Sequence, residues 1–172
     1  VGDISGNHIN GIVNNDATII SDGILGKALS FDGANDYVTI GDSNLVLDNN
    51  FTIEMWFNPL FDPAEKSKSL FNNQVDQTDL TTSKFMIVIN NNFATTKFIV
   101  GWYGLDKNKK ILELPPFIDT KLIVSNEWHH LVVVYNQLEN KVIVYLNGNQ
   151  IGEEIDYATL NDGFSFGPLK GP

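Results

Sequence analysis

Aromatic side chains close to polar ones are the first residues of this 172-residue sequence whose types point to a chemistry. Flat aromatic rings stack on the apolar C–H faces of sugars, while carboxylate and amide oxygens accept hydrogen bonds from sugar hydroxyls. Two of the aromatics end the run KFIVGWYG, where a strand should give way to a loop, and others share predicted strands with a carboxylate. The candidate ligand-binding residues are Trp102, Tyr103, Tyr145, Tyr135, Glu54 and Trp56. Packing in the protein interior is the alternative role for each of them.

Carboxylates placed to cleave a glycosidic bond are scarce. A glycoside hydrolase needs two carboxyl groups that project to the same face, one as nucleophile or base and one as acid. Glu54 is the only carboxylate inside a clearly predicted strand, whereas Glu154 and Asp156 share one face of an extended segment but lie near its end. We interpret the latter pair as a solvated edge. The sequence therefore predicts a protein without enzymatic activity.

The histidines show no spacing typical of a catalytic or metal site. His129 and His130 are successive residues of a predicted strand, so their side chains point to opposite faces and cannot bind one ion together. The sequence also predicts no nucleophile elbow, the strand-to-helix turn that would present a serine nucleophile. We predict that His130 is a core histidine with satisfied hydrogen bonds.

Strands are the elements that must position these residues, and no segment has a helical pattern. The run FTIEMWF, residues 51–57, alternates apolar and polar side chains as half-buried strands do. Similar runs recur between turns rich in Asn, Asp and Gly, which is typical of an antiparallel sandwich. We expect surface excursions over residues 62–83, which are polar apart from a short SLF strand, and over residues 107–126, which contain two successive prolines. The predicted fold class is all-β.

Charge and composition exclude several classes of protein. The formal net charge of −10 repels nucleic-acid phosphates and anionic lipids, so we expect no nucleic-acid partner. The chain contains no cysteine and therefore has neither disulfides nor thiolate metal ligands. Its apolar runs have the length of strands, so we expect no insertion into a membrane. With 42% hydrophobic residues, a chain of this length can bury one substantial core.

Residues 127–154 predict a hairpin whose register can be worked out. With NQLENK as the turn, Val134 should face Val142 and Val132 should face Val144, and these residues should form the core face. The residues expected to be buried are Met55, Phe57, Val132, Val134, Val144 and Phe31. The second face of the hairpin comprises Leu131, Val133, Ile143 and Tyr145. Because that face is apolar too, we expect the surface excursions to cover it and to leave only a rim open to ligand.

The sequence resembles a known family in three successive motifs, GKALSFDGANDYVTI, NFTIEMWFNP and EWHHLVVVYNQLENKVIVYLNGNQIGE. These motifs are similar to the laminin-G-like domains of the concanavalin A-like lectin/glucanase superfamily, and DISGNHINGIV resembles the N-terminal segment of such domains. The resemblance covers nearly the whole chain. It implies a jelly-roll sandwich of two curved antiparallel sheets, found mostly in extracellular multidomain proteins that bind glycans or proteins.

The resemblance also implies a structural calcium ion and an incomplete domain. Asp3 matches an N-terminal Asp of the family that often supports calcium, and Asn7 and Asp32 lie in loops rich in oxygen ligands. Turn formation by hydrogen bonds to the chain's own backbone is the alternative role for these residues. Family members usually have one more strand after the DGFSFG segment. We therefore predict that residues 1–172 are a single domain of a longer protein and lack this strand.

The predicted function is that of a non-catalytic carbohydrate-binding or adhesion module in a secreted or cell-surface protein. A structural or protein-interaction domain without a sugar site is the second alternative, and a glycan-active enzyme is the third. The expected partners are a glycan or polysaccharide and other domains of the same protein.

Overall fold

The computed structural model describes residues 1–40, 46–47, 50–61, 67–72, 84–90, 97–105, 111–113, 117–119, 123–136, 138–139, 141–156 and 169–170. Every regular element in these ranges is a β-strand, and each strand pair with a defined register is antiparallel. No helix that is long and apolar enough to cross a membrane occurs in the same ranges. The predicted all-β fold class is confirmed.

The first of two compact units comprises residues 1–46 and 170–172. Its strands are β1 (Gly11–Asn14), β2 (Thr18–Gly23), β3 (Gly26–Ser30) and β4 (Tyr37–Ile40). They form two ribbons, in which β1 pairs with β4 and β2 pairs with β3. Phe31 was predicted to be buried, but it is 49% exposed because it follows the end of β3 in the polar FDGAND turn.

The second unit comprises residues 47–169. Its strands are β6 (Phe51–Phe57), β7 (Ser67–Asn72), β8 (Lys84–Asn90), β9 (Lys97–Leu105), β10 (Ile111–Glu113), β11 (Phe117–Asp119), β12 (His129–Asn136), β13 (Lys141–Leu146) and β14 (Asn149–Asp156). Two short strands, β5 (Val46–Leu47) and β15 (Leu169–Lys170), each have one residue in either unit. Sheet I has the strand order β14-β13-β12-β6, and sheet II has the order β10-β9-β8-β7 with β11 also pairing with β9. A two-stranded sheet joins β15 to β5. That residues 1–172 are one domain of a longer protein stays a prediction.

The inner faces of sheets I and II share one hydrophobic core. Its buried residues are Phe57, Ile87, Ile89, Ile123, Leu131, Val133, Tyr135, Val142, Val144, Leu146 and Ile151. Fully burying one such aliphatic side chain contributes about 1.5–3 kcal/mol to the free energy of folding. Along β12 the residues alternate between buried and half-buried, so one face of sheet I belongs to the core and the other does not.

The register of the β12–β13 hairpin differs by one residue from the predicted one. Val133 lies opposite Val144, and Asn136 lies opposite Lys141, so the connection is one residue shorter than we expected. A shift of one residue moves every side chain of a strand to the other face. Relative to the prediction, β13 keeps its faces and β12 exchanges them. Val142 and Val144 of β13 are buried as predicted, whereas Val132 and Val134 of β12 are half-buried and face away from the core.

The two predicted surface excursions contain more strand than their sequences suggested. The short SLF strand is part of β7, which pairs with β8 along its length. In the stretch 107–126, β10 and β11 both pair with β9. The two prolines between β10 and β11 lie outside the described residues. Backbone pairing with an existing strand thus orders segments whose side-chain pattern is irregular.

Candidate functional site

The face of sheet I that points away from the core is the candidate functional site, and we call it the outer face. Side chains alternate along a strand, so its members are every second residue of four neighbouring strands. They are Thr52, Glu54, Trp56, His130, Val132, Val134, Asn136, Lys141, Ile143, Tyr145 and Gln150. All of them are half-buried or exposed. The outer face therefore combines an apolar floor with polar and aromatic groups.

Three of the predicted ligand-binding residues meet on the outer face. Val132 of β12 lies opposite Glu54 on one side and opposite Tyr145 on the other. Trp56 follows Glu54 by two residues on β6 and lies opposite His130. Directly opposed residues of antiparallel strands have Cβ atoms about 4.5–5.5 Å apart. The sheet thus gathers an indole, a carboxylate and a phenol on one surface.

Trp56 is held as a flat surface by a neighbouring ring. Its indole stacks on the imidazole of His130 with ring centroids 4.7 Å apart and an interplanar angle of 23°. Trp56 nevertheless remains 45% exposed. Because one ring face lies on His130, the exposed area belongs to the opposite face and the ring edges.

Glu54 fixes the orientation of the imidazole below the indole. Its Oε1 atom lies 2.8 Å from Nε2 of His130. An ionised carboxylate only accepts hydrogen bonds, so the Nε2–H group donates to Glu54. The side chain of Glu54 is 64% exposed, whereas that of His130 is 23% exposed. The carboxylate therefore supports the stacked pair and also faces solvent.

His129 is the core histidine, and the prediction that gave this role to His130 is wrong. His129 is 3% exposed, and Asn147 bridges it to the next residue. Asn147 Oδ1 accepts a 2.9 Å hydrogen bond from the His130 amide, so its Nδ2 group faces His129 Nδ1 at 3.2 Å. Nε2 of His129 contacts both backbone groups of Val124, the carbonyl oxygen at 3.0 Å and the amide, which donates, at 3.1 Å.

Tyr135 was predicted on the same side as Glu54 and Trp56, and this placement is wrong. Tyr135 lies opposite Val142 and Phe51, on the core side of sheet I, and is 3% exposed. Its ring centroid is 5.1 Å from that of Phe51. Burial raises the pKa of the Tyr135 hydroxyl to about 12. Its role is packing, which follows from the one-residue shift in the hairpin register.

Trp102 and Tyr103 were predicted at a transition from strand to loop, but β9 continues past them to Leu105. Trp102 pairs with Phe85, and Tyr103 pairs with Lys84. Their backbone is therefore part of the interior of sheet II. Their side chains lie outside the described residues, so their part in ligand binding stays a prediction.

Comparison with known proteins identifies the family. A laminin-G family model described as the concanavalin A-like lectin/glucanases superfamily matches residues 32–169. This chain belongs to that superfamily. It is also 27% identical over 148 residues to a "Non-toxic nonhemagglutinin" of Paraclostridium bifermentans. The match covers 85% of this chain but only 11% of the relative, so the chain spans a small part of that protein's length.

The predicted calcium ligands Asp3, Asn7 and Asp32 make hydrogen bonds within their own loops. Asp3 accepts hydrogen bonds from the Ser5 amide at 2.7 Å, the Ser5 hydroxyl at 2.9 Å and the Ile9 amide at 2.9 Å. These donors, the Ser5 hydroxyl first, lower the pKa of Asp3 below its ordinary value. Asn7 donates to the Ser5 hydroxyl, and Asp32 accepts the amide two residues later at 2.7 Å.

Calcium binding is therefore still a prediction. Among the residues that the structure describes, no three His, Cys, Asp or Glu side chains converge to hold a metal ion. Hard cations need several oxygens at once, and the oxygens of Asp3 already accept hydrogen bonds from its own loop. Measuring the melting temperature with and without calcium would test the prediction.

His130 is the site residue that the sequence analysis missed. Its pairing with Glu54 and Trp56 joins two strands that are far apart in the sequence. The signal that would have revealed it is the length of the β12–β13 connection, because one residue fewer moves His130 from the core to the outer face.

Proposed function

We propose that the chain is a non-catalytic carbohydrate-binding or adhesion module of a secreted or cell-surface protein, and that it binds glycan on the outer face of sheet I. The observation that carries this proposal is the exposed indole of Trp56, stacked on His130 beside the exposed carboxylate of Glu54. An apolar surface with a few oriented polar groups is the usual composition of a site for a small ligand.

The geometry supports stacking as the main interaction. A pyranose presents a flat patch of C–H groups, which packs on an aromatic ring and removes apolar area from water. The Trp56 ring is already oriented by His130, so little side-chain entropy is lost when a sugar binds. Glu54 beside the ring accepts hydrogen bonds from sugar hydroxyls, and the half-buried Tyr145 lies across Val132 from it.

The number of carboxylates among the described side chains of the outer face favours binding over catalysis. Among the described side chains of this face, Glu54 is the only carboxylate, and hydrolysis of a glycosidic bond needs two. The side chains of Glu154 and Asp156 on β14 lie outside the described residues. The name of the superfamily covers both lectins and glucanases, and the single carboxylate supports the lectin-like role.

The name of the relative agrees with a module that has one binding surface. A nonhemagglutinin is by its name a protein that does not agglutinate red cells. Agglutination requires one particle to bridge two cells, which needs at least two sites held in a suitable geometry. A module with a single glycan-binding face does not agglutinate cells by itself, so glycan binding is compatible with that name.

The test is a glycan-array screen followed by titration of the best glycan against wild type and Trp56→Ala. We expect the substitution to weaken binding by roughly tenfold or more, because it removes about 0.5–1.5 kcal/mol of ring interaction together with the buried area. The melting temperature should change little, since Trp56 is largely outside the core.

Tyr37→Ala is the matched control, because Tyr37 is an exposed aromatic residue of β4 and does not belong to the outer face. It should leave the affinity unchanged. Unaltered affinity in Trp56→Ala, or no binding to any glycan on the array, would contradict the proposal.

A structural or protein-interaction domain is the second candidate, and the first unit provides the observation that favours it. Several large apolar side chains are exposed there, and Leu25 is 90% exposed. Examples are Ile4, Ile12, Ile19, Leu25, Phe31 and Tyr37. Such surface is typical of a contact with another protein or domain. This function takes the lead if the array detects no glycan.

A further inference from the structure

The charge around Trp56 defines which glycans the outer face can accept. Glu54 carries a negative charge, and one of its oxygens is engaged by the Nε2–H group of His130. That imidazole donor is thereby used within the protein and does not point at a ligand. Directly beside His130, the groups left for a sugar are the indole face of Trp56 and the exposed carboxylate of Glu54, which offers acceptors only.

Among the described side chains of the outer face, no lysine or arginine lies next to Trp56. Lys141 is the only lysine or arginine among the described side chains of that face. It lies four residues along β13 from Tyr145, which is roughly 13 Å at about 3.3 Å per residue. This separation exceeds the Debye length of about 8 Å at physiological ionic strength. The Lys141 ammonium also lies 3.5 Å from the carboxylate of Glu139.

The charge of the whole chain acts in the same direction. A formal net charge of −10 lowers the local concentration of anions at the surface. A carboxylate or sulfate on a sugar stacked over Trp56 would come within a few ångströms of Glu54, and no lysine or arginine among the described side chains next to Trp56 would compensate its charge. Like charges at such a distance weaken binding.

We infer that the outer face selects uncharged glycans and that Glu54 is the residue that rejects sialylated and sulfated ones. This inference rests on the proposed glycan-binding function. Glu54 then has two roles, because it orients His130 below the Trp56 ring and excludes anionic sugars from its upper face.

The experiment uses an array of matched glycans that share one core oligosaccharide in neutral, sialylated and sulfated form, followed by titration of the best-bound matched set. We expect wild type to bind the neutral member at least about tenfold more tightly than either anionic member. Glu54→Gln keeps a side chain of the same shape but removes the charge. It should reduce this neutral-to-anionic ratio several-fold.

Glu139→Gln is the matched control. It removes the same charge from an exposed glutamate close to Lys141 and away from Trp56, so the ratio should stay at the wild-type value. Thermal melting of both variants establishes that they are folded.

The outcomes separate this inference from the proposal on which it rests. Equal or tighter binding of sialylated or sulfated glycans, together with a loss of that binding in Trp56→Ala, would overturn the selectivity and leave the glycan site intact. A preference for neutral glycans that Glu54→Gln does not alter would overturn the role of Glu54. Absence of binding to every glycan would overturn the proposed function itself.

Discussion

The two faces of sheet I are built from the same strands but differ in burial and in the side chains that they present. On the inner face, Leu131 and Val133 are fully buried and pack in the core. On the outer face, Val132 is only half-buried and lies beside the exposed Glu54. Stability is therefore concentrated on one face, and the other can carry a ligand site without weakening the core. The alternation of side chains along a strand is sufficient to separate the two tasks.

The neighbouring histidines show this separation within a single step of the chain. His129 is buried and bonds to Val124 and Asn147, so it connects loops at one end of the sheet. His130 supports the exposed ring of Trp56 and bonds to Glu54. The same type of residue thus contributes to stability at position 129 and to the candidate site at position 130.

The largest expected effect is that of a charge placed on the inner face. Val133→Asp should prevent folding, because it would bury an unpaired carboxylate in the core. Val132→Asp introduces the same charge one residue earlier, on the outer face, and should give a folded and soluble protein. Soluble yield and urea denaturation of the two variants measure the difference.

Equal loss of folding in both variants would contradict the assignment of faces. If Val133→Asp instead gives more folded protein than Val132→Asp, the register predicted from the sequence, with Val132 in the core, is correct.

A smaller effect is expected from removing one histidine at a time. His129→Ala removes the partner of the Val124 carbonyl and of the Asn147 amide, and each such hydrogen bond contributes about 0.5–1.5 kcal/mol to the unfolding free energy. His130→Ala should change the unfolding free energy less but weaken glycan binding, because the support of the Trp56 ring is lost. Chemical denaturation and glycan titration of both variants give the two quantities. If His130→Ala is the more destabilising change, the histidines have been assigned to the wrong faces.

The sequence predicted the elements well, because alternation and turn residues are local signals. FTIEMWF forms β6, and its apolar residues face the core as expected. The predicted register of the β12–β13 hairpin was wrong by one residue, since register depends on the length of the connection and on packing against sheet II. That error of one residue placed Tyr135 on the ligand side and His130 in the core.

The candidate site was predicted in part for the same reason. Glu54 and Trp56 were found because they alternate with core residues inside one strand. Tyr145 was found from the pattern of β13. His130 could not be found in this way, because its role comes from two contacts with a strand more than 70 residues earlier in the chain.

The smallest expected effect is confined to alkaline pH and tests the inner face through Tyr135. Burial raises the pKa of its hydroxyl from 10.0 to about 12. Above pH 10 the unfolded chain releases this proton before the folded protein does, so ionisation favours unfolding. The stability contributed by the neutral phenol is fully present below pH 10 and is lost as the pH rises towards 12.

Tyr135→Phe cannot ionise, and its unfolding free energy should therefore decline less steeply than that of wild type across this interval. From pH 7 to pH 9 the difference between the two proteins should be constant, which serves as the control. If the unfolding free energies of both proteins decline in parallel between pH 10 and pH 12, Tyr135 is not desolvated. The inner face would then not differ from the exposed outer face at this position.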